Sequence, residues 1–216
     1  MAKYLAIQNT YQEVQAALYN GNTIIAQKTI SKYHASAQLI PTLQNLFDDH
    51  LLNLNEIAFI GVNIGPGPFT TLRTVMATVN GLAFSASIPL IGIDAFDAYC
   101  AQFSAKTPFI ILFNAFGSDV YYAIKTFDEY QKGVMHINEL LEVISKKYSS
   151  EAISFFGNGA MQYKKQIEEK SFKVLDSEPY CTLKSIAHSS YQKWEHDKMG
   201  SQKLLPLYLK KHPAQK

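Results

Sequence analysis

Few residues of this chain are placed to do chemistry. Its six histidines form no HExxH motif and no pair four residues apart, so no helical face offers the two imidazoles of a metal site. His34 is alone in the first 49 residues, and His188, His196 and His212 fall in a basic tail where solvation is the simplest reading. Cys100 and Cys181 have no CxxC partner and read as reduced, buried thiols. There is no GxSxG elbow. Asp48-Asp49 and Glu168-Glu169 read as exposed helix-end charges, and Asp94 with Asp97 as the cap and first-turn acid of a helix. Gly157-Asn158-Gly159 is a turn with room for a ligand, or a plain connection. No catalytic residue, metal ligand or cofactor is therefore expected.

The stretch that most invites a functional reading is GPGPFTTLR, residues 65–73. A strand that ends in glycine and runs into a helix is where phosphates are often held, on outward backbone N–H groups. Yet Pro66 and Pro68 remove two of those donors, the GKS or GKT of a P-loop is absent, and Thr70 stands where GxGxxG needs its third glycine. Pro68 fits the first helical position, with Gly67 as cap. Gly65, Pro66, Gly67 and Pro68 thus read as a loop that launches a helix.

That helix, expected from Pro68 to Phe84, carries one charge, Arg73. Phe69, Leu72, Val75, Met76, Val79, Leu82 and Ala83 make an apolar stripe. Thr70, Thr74, Ala77, Thr78, Gly81 and Ser85 make a second stripe of small residues. A wet helix face carries several charges, so this helix should be covered on both sides, by its own sheet and by another helix. The expected helix over 34–52 offers a neutral polar surface in His34, Gln38, Thr42 and Asn45. Two such helices point to a partner interface, and the alternative is a helix packed wholly inside its own domain. Arg73 is the single arginine beside nineteen lysines. It marks a site that needs a planar fork, or it sits there by chance.

The elements that position these helices repeat a plan. KYLAI is a strand; EVQAALY and TIIAQKTI flank Asn20-Gly21, a hairpin signal; IAFIGVNI and IPLIGI are apolar, buried strands. Pro41 implies a kink or a late start in the first helix. The second half begins again, with strands over 108–114 and 119–127, a helix over 137–148, strands over 152–157 and 172–176, and a last helix over 182–198. This predicts an α/β protein of two similar lobes, 1–104 and 105–216, with the last helix packing back on the first lobe. Composition agrees: 47% hydrophobic and 18% charged residues describe a globular chain, and no apolar run reaches a membrane span. Net charge is +2, but residues 184–216 hold seven lysines against Glu195 and Asp197. That tail reads as a solvated helix or an RNA contact.

GPGPFTTLR followed by IPLIGIDAF closely resembles the TsaB family, also called YeaZ, whose pattern there is GPGSFTGLR. YLAIQNT, NGNTIIAQ, KYHASAQLIPTLQNL, FNAFGSDVYYA and LPLYLK extend the likeness over nearly the whole chain. The resemblance implies the fold of actin-like ATPases and sugar kinases, of ribonuclease H-like type. It also implies a noncatalytic cytoplasmic scaffold that pairs with a TsaD-type paralogue through the first-lobe helices. With a TsaE-type ATPase, that pair serves threonylcarbamoylation of adenosine 37 in ANN-decoding tRNAs, and the chain contacts tRNA only through the complex. Alone, such chains self-pair through the same surface. The pattern is broken where Gln8 and Asn114 stand in place of acids. Pro68 replaces Ser, Thr71 a glycine, Phe116 an arginine, Asp119 a glutamate and Lys210 an arginine. Mg²⁺ prefers carboxylate oxygen, so phosphoryl transfer is disfavoured. The alternatives are an actin-like ATPase or kinase acting on a small molecule, and a homodimeric binding protein; a metallopeptidase would need a His/acid ligand pair.

Overall fold

The computed structural model describes residues 1–102, 108–148 and 153–210. The expected seam at 104/105 and the last lysines of the tail lie outside them. The chain divides into two compact units, Met1–Gln102 with Cys181–Leu207, and the described residues of 103–180 with those of 208–216.

In the first unit, β1 (Lys3–Asn9), β2 (Glu13–Asn20) and β3 (Thr23–Ser31) form an antiparallel meander. Gly21 turns the β2–β3 corner at φ +58°, a conformation glycine adopts without penalty. Then come α1 (Ala35–Asp48), β4 (Phe59–Gly65), α2 (Phe69–Ala86), β5 (Leu90–Asp94) and α3 (Ala95–Cys100). β4 pairs parallel with β1, and β5 parallel with β4, giving the order β3-β2-β1-β4-β5. Pro41 lies inside α1, which starts at Ala35, so the late start does not occur.

The second unit repeats the topology. β6 (Phe109–Asn114), β7 (Asp119–Lys125) and β8 (Tyr130–His136) form the meander, followed by α4 (Ile137–Lys147), β9 (Ser154–Phe156), α5 (Asn158–Gln162), α6 (Lys164–Glu169) and β10 (Lys173–Val174). The order β10-β9-β6-β7-β8 mirrors the first sheet, with β9 parallel to β6 and β10 parallel to β9. β8 is an element the sequence reading missed. The chain ends its described helices with α7 (Leu183–Asp197), which belongs to the first unit.

Alternation along β1 sorts the first unit's two faces. Leu5 and Ile7 join the core that α1 and α2 cover, with Ile60, Val62, Leu72, Val75 and Val79. Tyr4 points to the opposite face, where its hydroxyl donates to the Ala187 carbonyl of α7 at 3.2 Å. Gly61 on β4 admits α7 closely, since a Cβ there would lie 2.2 Å from the Ser190 hydroxyl.

Candidate interaction surface

The loop into α2 is buried from Gly65 to Pro68. Gly65 takes φ +105°, its N–H donates to Asn63 Oδ1 at 2.8 Å, and the Gly65-Pro66 peptide is cis. Pro68 is the cap residue (φ −60°, ψ 120°), and its carbonyl accepts from the Leu72 N–H at 2.9 Å. This corrects the expectation of a Gly67 cap with Pro68 as first helical residue by one position. The ring's fixed φ suits either place, and the extended ψ makes it the cap.

α2 is covered on one side by its own unit. Thr71, Leu72, Val75, Met76, Val79 and Ala83 are buried. Thr70, Arg73, Ala77 and Gly81 are exposed, and Thr74 and Thr78 are half-buried. The alternative of a helix enclosed by its own domain is therefore set aside. The face is quiet as well as open. Thr74 Oγ1 donates back to the Thr70 carbonyl at 3.1 Å, and Ser85 Oγ to the Leu82 carbonyl at 3.0 Å. Arg73 lays its guanidinium 3.7 Å from the Phe69 ring centroid, a stacking geometry an ammonium cannot reproduce. Phe84, which the sequence reading treated only as the helix end, stands on this face at 88% exposure. Its place was legible from helical spacing, being seven residues beyond Ala77.

The α1 positions divide differently. His34, Gln38 and Asn45 are exposed and Thr42 half-buried. One turn beyond Asn45, Asp49 pairs with Lys28 of β3 at 2.9 Å, so this flank of α1 looks toward β3. The Lys28 ammonium, donating to the Asp49 carboxylate, holds that carboxyl below its usual range. The opposite flank, with Ile40, Gln44 and Phe47, meets Leu82 of α2 across a groove of about 240 Å³. The structure thus gathers the α2 residues on one outward face and sets the four α1 residues on the flank away from α2.

The two amides that stand in place of acids serve the chain's own structure. Gln8 is fully buried and its Nε2 donates to the Cys181 carbonyl at 2.6 Å and to Sγ at 3.1 Å. Its Oε1 is buried without a partner among the described residues, as is Gln102 Nε2. Gln102 Oε1 accepts from the Thr182 N–H at 2.5 Å and the Ser185 hydroxyl at 2.9 Å. Burial pushes the Cys181 thiol far up, against a hydrogen bond from Gln8 that lowers it, so it is an inert thiol. In the second unit, Asn114 Oδ1 accepts from the Phe116 N–H at 2.6 Å. Lys210 bridges Asp119 at 2.8 Å and the Ala115 carbonyl at 2.9 Å, which brings three of the positions that depart from the family pattern, Phe116, Asp119 and Lys210, to one loop. Gly157 and Gly159 admit α5 onto β6, since a Cβ at either would lie within 3 Å of Leu112 backbone atoms. Among the described residues no three His, Cys, Asp or Glu side chains group to hold a metal, and no helix is long and apolar enough to cross a membrane.

Comparison with known proteins bears on this geometry. The family model of TsaD, tRNA N6-adenosine threonylcarbamoyltransferase, matches residues 20–193. The tRNA threonylcarbamoyladenosine biosynthesis protein TsaB of Escherichia coli K12 is 28% identical over 91 residues, 42% of this chain and 39% of that protein. The chain thus spans about two fifths of the length of that relative. The protein of the same name from Bacillus subtilis 168 is 24% identical over 176 residues, covering 76% of this chain and 75% of that one. YeaZ from Pseudomonas aeruginosa superposes with a TM-score of 0.74 at 19% identity, over 97% of this chain and 100% of that chain. The Lmo2764 protein of Listeria monocytogenes, a proposed N-acetylmannosamine kinase, does so at 0.53 and 10% identity, over 89% and 99%. At these identities the two structures speak for the fold, the duplicated α/β lobes expected from the sequence.

Proposed function

The chain belongs to the TsaD family, with TsaB proteins among its relatives, and on that premise we propose that it is a noncatalytic scaffold subunit of tRNA threonylcarbamoylation. In this reading it pairs through α2 and the neighbouring α1 with a TsaD-type paralogue, which carries the transfer to adenosine 37 of ANN-decoding tRNAs. A TsaE-type ATPase and the tRNA are reached through that complex, the assembly is cytoplasmic, and the chain alone pairs with itself.

The observation that carries the reading is the outer face of α2. It is exposed, it holds Arg73 as its one charge, and it presents Phe84 to solvent. An exposed face this poor in charge, with a large aromatic side chain on it, suits a protein partner better than water. The noncatalytic part rests on Gln8, whose Nε2 is spent on the Cys181 carbonyl and whose amide oxygen is a poorer Mg²⁺ ligand than a carboxylate.

The test is to mix the purified chain with the TsaD-type paralogue of its own genome and read the mass by light scattering. A stable heterodimer is expected, abolished by Thr74→Arg while the circular dichroism spectrum and melting temperature stay unchanged. Separate peaks, or a heterodimer indifferent to Thr74→Arg, overturn the pairing assignment. Turnover of Mg-ATP by the chain alone would overturn the noncatalytic one.

A further inference from the structure

The second unit carries a surface that pairing through α2 does not use. β7 and β8 form a hairpin whose register sorts its side chains onto two faces. Val120, Tyr122 and Ile124 turn inward to the unit's core, with Met135 packed beside them. The directly opposed pairs Lys125–Tyr130 and Ala123–Lys132 put Lys125, Tyr130 and Lys132 together on the other face. There the Lys132 ammonium lies 4.6 Å from the centre of the Tyr130 ring, and the Lys125 ammonium 5.7 Å from it. Tyr130 is 43% exposed, so two cations converge on one ring at the surface.

Charge is sorted across this hairpin. Its acids are Asp119, Asp128 and Glu129. Asp119 pairs with Lys210 at 2.8 Å, and Glu129 accepts from Lys147 at 2.6 Å and from the Tyr148 hydroxyl at 3.1 Å, at the end of α4. Both carboxylates are taken by lysines from outside the hairpin, and the hairpin's own lysines gather at Tyr130 instead. The tip is closed by Thr126, whose Oγ1 accepts from the Asp128 and Glu129 N–H groups at 3.3 and 3.0 Å. That turn displays Phe127 at 82% exposure. Two like charges set against one ring repel, and a polyanion relieves that repulsion. A lone phosphate would use the ammoniums but has no use for the rings. Unpaired RNA uses both: its bases stack on Tyr or Phe while its phosphates meet the lysines. A bilayer could also take Phe127, but Asp128 beside it opposes an anionic headgroup surface.

We infer that the outer face of the β7–β8 hairpin binds single-stranded RNA, with Tyr130 and Phe127 stacking on bases and Lys125 and Lys132 holding the phosphates. The inference rests on the proposed function for the identity of the strand, tRNA, and gives this chain its own contact, within the complex, with an unpaired stretch of it.

Fluorescence anisotropy tests it, with a labelled ANN-decoding tRNA against the complex of this chain with its TsaD-type paralogue, and a labelled oligouridylate against the chain alone. Tyr130→Ala is expected to weaken both associations about tenfold and Phe127→Ala about fivefold, while Tyr130→Phe, which keeps the ring, leaves them as they are. Lys125→Gln combined with Lys132→Gln should lower the slope of log affinity against log salt by about 1.4. These side chains stand at the surface, so the circular dichroism spectrum and the heterodimer should be unchanged in every variant. Affinities for both RNAs that ignore Tyr130→Ala and the double lysine variant overturn the inference, and with the heterodimer intact the proposed function stands. If no heterodimer forms, the proposed pairing falls while the oligouridylate still decides the inference: binding lost in Tyr130→Ala upholds it, and no binding overturns it. Retention on phosphatidylglycerol vesicles without affinity for RNA overturns it in favour of a membrane surface.

Discussion

Beneath Gln8 the first unit shuts polar atoms in with too few partners, while on α2 it leaves apolar atoms out in water. Gln8 Oε1 and Gln102 Nε2 are buried without hydrogen bonds among the described residues, and Phe84 is 88% exposed on a helix with one charge. Both arrangements cost free energy in the isolated chain. The interior one lies at the carboxyl ends of parallel strands, where α/β sheets often bind ligands, but here the chain's own Cys181 carbonyl occupies the amide. The outer one leaves Thr70, Ala77, Gly81 and Phe84 exposed. The contrast teaches that Gln8, at the sheet edge, is held by the chain's own backbone, and it is the exposed α2 face on which the proposed function rests.

The largest effect should come from restoring an acid. Gln8→Glu sets a carboxylate where an amide donates to a carbonyl at 2.6 Å, inside a fully buried site. The loss at neutral pH should be on the order of 3 kcal/mol, from the missing donor and the buried charge. Burial raises the folded carboxyl's pKa above its unfolded value, so the protonated forms are alike at low pH and the penalty grows as pH rises. The variant's melting temperature should therefore approach wild type at pH 5 and fall behind it at pH 8. An equally stable variant that bound Mg²⁺ and nucleotide would break the comparison. Next is Gly61→Ala on the same face, where the new methyl meets Ser190 Oγ at 2.2 Å and its Cβ at 2.5 Å. Overpacking against α7 should cost about 1–3 kcal/mol in a denaturant titration. A neutral result would mean that α7 is loosely held.

How far these regions were legible differs for physical reasons. The strand meander, the α2 stripe and the Asp94 cap follow from local signals: Asn-Gly, helical periodicity and an acid before a helix, and Asp94 indeed accepts from the Phe96 and Asp97 N–H groups. β8 was missed because YQKGVMH neither alternates nor is rich in buried apolar residues. Gly133 marks its logic only in three dimensions, since a Cβ there would strike the ring of Tyr122, its cross-strand partner. The grip of Gln8 on Cys181 joins residues 173 apart, which no local spacing reveals. On α1 the polar residues were visible, but the flank they occupy depended on Lys28 reaching Asp49.

The open face should respond in the opposite sense. Gly81 lies inside a regular helix with empty space around its missing Cβ, so Gly81→Ala should stabilise the monomer by about 0.5–1 kcal/mol through lost unfolded-state freedom. The same methyl adds bulk to the face proposed for pairing, so association through it should weaken as the melting temperature rises. A variant more stable and equally associated would separate Gly81 from the pairing contact.

The smallest effect sharpens the same contrast through pH. Asp49 is held below its usual carboxyl range chiefly by the hydrogen bond from Lys28, and Glu142 likewise by Lys170. Carboxyls depressed in the folded state add stability above their unfolded pKa, near 4, and lose it as pH falls through their folded values. Both pairs are open to solvent, so each contributes little. Lys28→Met should lower the melting temperature slightly at pH 6–8 and converge on wild type as pH falls below about 4, flattening the acid limb. The α2 face holds no carboxylate, so association through it, measured between pH 6 and 8, should be indifferent to the same substitution. A Lys28→Met chain with altered association would show that the β3-facing flank of α1, which holds His34, Gln38, Thr42 and Asn45, takes part in the proposed pairing.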